Sequence, residues 1–251
     1  MGGTDTRTVD GAAFDGFSPD ALAFLEDLAV NNDRDWFKAR QDVYEREIKR
    51  PLARLVQAAA RRLEAEALGL TGTPKTSVFR IHRDIRFSKD KTPYKPHASC
   101  YFSATGSKKE DGGVYVHLQP GRSFIGAGVY HPDAPALKAL RGAMDADPDA
   151  FLGMVADLDA AGLTLETDDA LKSAPRGFAH RAETPIGPYL AWKSFLVRRP
   201  VSELAFLTPE VIDDVVAFAR DSAPLRDWAR AVLGGPRWRA DASDPPGGRK
   251  R

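Results

Sequence analysis

A single cysteine, Cys100, stands in 251 residues, so no disulfide can close within the chain. That scarcity suggests a reducing compartment, and a cytoplasmic protein is expected. No apolar run approaches the roughly 20 residues of a membrane-spanning helix, so no membrane partner is expected. Met1 to Asp15 lacks a positive end followed by an apolar stretch and does not read as a secretory signal. Charge of either sign is also scarce in excess. The 36 Lys+Arg against 35 Asp+Glu leave a net +1, too little for a global field toward nucleic acid or membrane. There is no phosphate-binding Walker loop, no dinucleotide fingerprint and no nucleophile-elbow serine. The histidines (His82, His97, His117, His131 and His180) show no close metal-ligand spacing, and no metal is expected. The sequence leaves both the cofactor and the oligomeric state open.

What is present is ample for one core: 43% of residues are hydrophobic and 28% charged. Residues 17–233 are expected to form one domain, between a disordered lead (1–16) and a disordered tail (234–251). Ser18-Pro19-Asp20 reads as a helix start, with Leu22, Leu25 and Leu28 on one stripe. Asn32 is placed to cap a second helix, which Pro51 must end or kink. Leu52, Leu55, Val56, Ala59 and Leu63 mark a third helix, closed by Gly69.

The period then shifts to two. Phe79, Ile81, Ile85 and Phe87 alternate with Arg80, His82, Asp84 and Arg86, as in a half-buried strand. His97–Thr105, Val114–Leu118 and Ser123–Tyr130 alternate likewise. Helices are expected over Pro135–Met144, Pro148–Ala160, Thr208–Arg220 and from Pro224. Leu163–Glu166 and Trp192–Arg199 are further strand candidates, and 172–188 is an irregular loop. Helices, then strands, then helices make an α+β domain: an antiparallel or mixed sheet covered on one face by helices.

Two constellations carry chemical interest. Between Arg80 and Lys95, Arg80, Arg83, Arg86, Lys89, Lys91 and Lys95 stand against only Asp84 and Asp90. Arginine offers forked hydrogen bonds to phosphate or carboxylate, so this set is a candidate anion site, with Asp84 holding arginine geometry and Tyr94 orienting or stacking. The bland alternative is a solvated face in which Arg–Asp pairs hold a loop down. The second constellation is the sheet's other face. Tyr101, Tyr115, His117 and Tyr130 alternate with the apolar set, and Gly126 and Gly128 mark a close approach. That face reads either as a groove floor, with Tyr115 as a further stacking residue, or as a packing surface for a helix. His82 and His117 are the candidates for proton transfer, because histidine titrates near neutral pH.

The residues also carry a resemblance. Asn31-Asn32-Asp33-Arg34-Asp35-Trp36-Phe37 and Phe79–Lys95, with Tyr115-Val116-His117, Gly126–Pro132, Leu171–Phe178 and Lys193-Ser194-Phe195, resemble the domain of unknown function 2461 (DUF2461) family over roughly Phe17 to Trp228. The resemblance implies a soluble intracellular protein and carries over no catalytic residue. Three functions therefore stand. The first is a cationic cleft for an anionic, phosphate-containing small molecule, with or without a reaction. The second is nucleic-acid binding by the same basic set. The third is a structural or partner-docking domain whose basic segment is an internal ion-pair network.

Overall fold

The first helix begins where its local chemistry dictates. In a computed structural model describing residues 13–86 and 88–234, Ser18 caps α1 (Pro19–Val30) by accepting a hydrogen bond from the Ala21 N–H. The Ser18 hydroxyl also donates to Glu47 at 2.5 Å, tying that helix start to the next stretch. Most of the expected disordered lead and tail, and Phe87, fall outside the described residues. Phe14, assigned to the lead from sequence, is buried against Phe17 with ring centroids 5.7 Å apart.

Asp33, not Asn32, caps α2 (Arg34–Lys38), accepting from the N–H groups of Asp35 and Trp36. The chain then runs through a π-helical stretch, Tyr44–Lys49, into α3 (Arg50–Ala65). Pro51 neither ends nor breaks this run. It sits in the first turn of α3, and the wider turn before it, where the Arg50 N–H reaches back to the Glu45 carbonyl, takes up the misfit.

Four strands form an antiparallel sheet in chain order: β1 (Ala98–Phe102), β2 (Gly113–Leu118), β3 (Phe124–Val129) and β4 (Phe195–Pro200). Between β3 and β4 the chain makes α4 (Ala134–Ala146) and α5 (Pro148–Ala160), each with an aspartate cap and an early proline. After β4 come α6 (Val211–Asp221) and α7 (Ala223–Leu233), the latter stopped by Gly234 at φ +59°. The expected Leu163–Glu166 strand shrinks to one bridge, Glu166 to Leu196 on β4.

Strand alternation sorts the two faces. Cys100, Phe102, Val114, Val116, Ile125, Val129, Phe195 and Val197 join one core with Leu55, Val56 and Ala59 of α3, Val215 and Phe218 of α6, and Leu225 and Ala229 of α7. Each large apolar side chain fully buried there contributes about 1.5–3 kcal/mol. The opposite face carries Ser99, Tyr101, Tyr115, His117, Phe124, Gly126 and Arg198. This is an α+β domain with helices on one face of an antiparallel sheet.

The strand expected over Phe79–Phe87 does not form. Among the described residues, Val78 and His82 make only isolated bridges, to Cys100 and Tyr94. The segment closes on itself instead: the Arg83 N–H donates to the Pro93 carbonyl at 2.9 Å, and the Lys95 N–H to the Ile81 carbonyl at 2.8 Å. Two aspartates compete with any ladder. Asp84 accepts from the Arg86 N–H and Asp90 from the Thr92 N–H, both turns made by a side chain two residues back.

Candidate functional site

Loss of that strand disperses the basic set. Arg80, His82, Asp84 and Arg86 do not share a strand face. Arg86 grips Asp84 through its Nε at 2.9 Å and its Nη2 at 2.5 Å, with the Arg86 side chain exposed and Asp84 largely covered. Arg83 turns inward to Asp90 at 2.6 Å and to the Thr92 hydroxyl. Both carboxyls are held down to about 2: Asp84 by the Arg86 side chain first, Asp90 first by the Thr92 N–H and then by Arg83. Lys91 donates to the Ile85 carbonyl at 2.9 Å, while Arg80 and Lys89 are exposed. The segment is thus laced together by its own charges.

Tyr94 is core rather than a ligand-facing ring. It stacks on Phe37 at 4.0 Å and 17° and is only 6% exposed. Its backbone is clasped by Asn32, which donates to the Tyr94 carbonyl at 2.9 Å and accepts from its N–H at 3.0 Å. Thus the Asn31–Phe37 and Phe79–Lys95 segments meet at this double hydrogen bond. His82 is exposed at the edge of the same aromatic group, its ring 5.2 Å from that of Tyr94.

Lys95, of the basic set, is buried beside the sheet's polar face. It is 5% exposed, with its ammonium 5.7 Å from the centroid of Phe79, whose ring meets Tyr115 edge-on. Beyond Tyr115 runs a hydrogen-bonded chain. The Tyr115 hydroxyl meets His117 Nδ1 at 3.0 Å, and His117 Nε2 meets Gln119 Oε1 at 3.0 Å. With the amide oxygen as acceptor, His117 carries its proton on Nε2, and Nδ1 accepts from Tyr115. Burial pulls His117 down to about 4, with Arg198 and Lys95 adding to the effect against the Gln119 bond. The ring of His97 lies 4.3 Å from that of His117 and is held well below the ordinary histidine range, by burial first and then by His117, Lys95 and Arg83. Its Nε2 is buried without a hydrogen-bond partner among the described residues. Both imidazoles are therefore neutral at pH 7. His117, with both nitrogens engaged, is a positioned link in a chain and not an exposed proton donor.

The far end of this face opens into a groove of about 910 Å³. Arg122, Ser123 and Phe124 line one side, Pro200 to Leu204 the other, with Arg198 and Glu166 between. Phe124 joins groove to interior: its ring stacks on His117 at 4.8 Å, and the Arg198 guanidinium lies 5.7 Å from its centroid. Ser123 closes the link, since its hydroxyl donates to the Gln119 carbonyl and accepts from the Gln119 N–H. Arg198 Nη1 meets Glu166 Oε1 at 3.1 Å. The pair is close but misaligned, and Arg198 Nε and Glu166 Oε1 are buried without a hydrogen-bond partner among the described residues. Glu203 accepts from the Gly121 N–H, and the Val201 N–H donates to the Ser123 carbonyl, so the two walls are tied together.

The two glycines separate. At Gly126, opposite both Tyr115 and Arg198, an added Cβ would lie 3.3 Å from the Phe124 ring and 3.6 Å from the Arg198 stem. The missing side chain is the room those two groups use. Gly128 has φ +127°, and its Cβ would strike the Phe195 carbonyl at 2.1 Å. The close approach there is the neighbouring strand. Arg198, Glu166, Arg122 and Gln119 were not singled out from sequence. The alternation of β4 put Arg198 opposite Val197, but only strand order brings it beside Phe124. Among the described residues no group of three His, Cys, Asp or Glu stands ready for a metal ion, and no helix is long and apolar enough to cross a membrane.

Fold and site together define an α+β domain whose polar sheet face leads from a mixed-charge groove into a buried imidazole pair. The chain belongs to the conserved hypothetical protein family DUF2461, which it matches over residues 20–228. No curated protein and no solved structure matches it.

Proposed function

We propose that this protein binds a phosphate-containing small molecule, and that the binding centre is the Arg198 groove rather than the Arg80–Lys95 loop. The observation that carries this reading is Arg198. Its guanidinium lines the groove beside an aromatic ring, its contact with Glu166 is misaligned, and its Nε has no hydrogen-bond partner among the described residues. The side chain as a whole is part-exposed, so its charge is available to a phosphate in the groove. Arg122 adds charge at the rim, and Lys95 contributes to the field from within. No bond-breaking step is assigned, since both His117 nitrogens are engaged and His82 stands apart from the groove. A cytoplasmic setting belongs to the same reading, in keeping with a single, buried Cys100.

For the loop itself, the internal network is the better reading, because Arg86–Asp84 and Arg83–Asp90 pair within it. The groove also disfavours nucleic acid, since Glu166 and Glu203 interrupt its basic lining.

Thermal-shift measurements test the proposal. Inorganic phosphate and phosphate monoesters should raise the melting temperature of the wild type and not of Arg198→Ala. A ligand at 100 times its Kd adds about 2.7 kcal/mol, well within detection. Oligonucleotide stabilisation that collapses with salt would instead favour the polyanion reading. No shift with any anion would remove the proposal.

A further inference from the structure

We infer that the groove selects a phosphorylated sugar: a ligand with one phosphate on Arg198 and a hydroxyl-bearing body against the neighbouring Glu166. This rests on the anion-binding reading above and goes on to the rest of the ligand. The lining is not uniformly basic. It holds Arg122 and Arg198 but also Glu166 and Glu203, with Ser123, Ser202 and the Phe124 ring. A carboxylate at neutral pH only accepts hydrogen bonds. It repels a ligand that is anionic throughout and favours one that presents donors. The groove therefore asks for a ligand that brings an acceptor to Arg198 and a donor to the adjacent Glu166. A phosphate on a neutral, hydroxylated body meets both demands, whereas a polyphosphate or a nucleic-acid strand meets only the first.

Glu166 is suited to this role by its placement. Its backbone is fixed to the edge of β4 by a reciprocal pair of hydrogen bonds with Leu196, at 2.8 and 3.0 Å. A site on a rigid element holds its geometry without ordering a loop. Its Oε1 faces Arg198 out of hydrogen-bond alignment, so each group can turn to a ligand while keeping the other's charge close by. The volume of about 910 Å³ exceeds what one phosphate fills.

Isothermal titration of the full chain, at constant ionic strength, compares ribose 5-phosphate with methyl phosphate. Ribose 5-phosphate should bind the wild type about ten-fold or more tightly than methyl phosphate, the effect of one good charge-assisted hydrogen bond. Glu166→Gln should remove that preference while leaving methyl phosphate binding intact or stronger. Equal affinity of the wild type for the two phosphates would overturn the sugar inference and leave the anion reading standing. A preference that survives in Glu166→Gln would overturn the role of Glu166, as would an equal loss of both ligands. Absence of binding by either phosphate to the wild type would overturn the anion reading and this inference with it.

Discussion

At the scale of single residues, His117 makes the protein sensitive to acid. In the folded chain it stays neutral down to about pH 4, because burial disfavours the charged ring, whereas in the unfolded chain it takes a proton near its ordinary 6.5. Between these values the unfolded chain binds more protons, so stability should fall as pH drops from about 6.5 to about 4. The total loss from His117 is on the order of 3 kcal/mol, and His97, shifted in the same direction, adds to it. Urea unfolding at stepped pH should show this slope, and His117→Gln should flatten it. An unchanged slope in that variant would assign the acid sensitivity elsewhere. The two glycines of β3 make a second contrast. Gly128→Ala meets both a positive φ and a backbone carbonyl, and should lose more than about 2 kcal/mol in the same assay. Gly126→Ala meets the edge of the Phe124 ring, with the Val197 carbonyl and the Arg198 stem at ordinary contact distance, and should lose about 1 kcal/mol or less while disturbing the groove.

At the scale of elements, the 81–95 loop is held by specific pairs rather than by a ladder. Arg83, largely buried and bonded to Asp90 and Thr92, should matter where the exposed Arg86 does not. Arg83→Ala should speed tryptic cleavage at Lys89 and Lys91 and lower the melting temperature, while Arg86→Ala should leave both near wild type. Equal sensitivity of the two variants would refute this ranking. Some helix starts were legible: a serine cap followed by proline announced α1, and early prolines announced α4 and α5, because those signals act within one turn. All four strands were expected, three of them from alternation, which is likewise local. The Phe79–Phe87 segment was misread because its alternation is equally regular. Asp84 and Asp90 decide against a strand by bonding backbone two residues on, a competition that periodicity does not register.

At the scale of the whole molecule, one apolar cluster runs from Phe14 to Leu233, joining both ends of the described chain. Unfolding should therefore be a single transition, with fluorescence of Trp36, Trp192 and Trp228 coinciding with loss of helix. Cys100 offers an independent probe. Its thiol is wholly buried on β1 and pushed up by burial, so a thiol reagent should react only at the rate of global opening. Labelling faster than unfolding would reveal a separately opening β1 edge. The sequence by itself determined the α+β class, the start of α1, the apolar face of the sheet and the presence of a polar one, since each depends on neighbours a few residues away. Tertiary structure alone decided which residues stand together on that polar face. Lys95, His97 and His117 meet Phe124 and Arg198 only because β1 to β4 pair in chain order across the long helical excursion between β3 and β4. Register across strands is set by the burial of the opposite face, a property of the assembled core and not of any one segment.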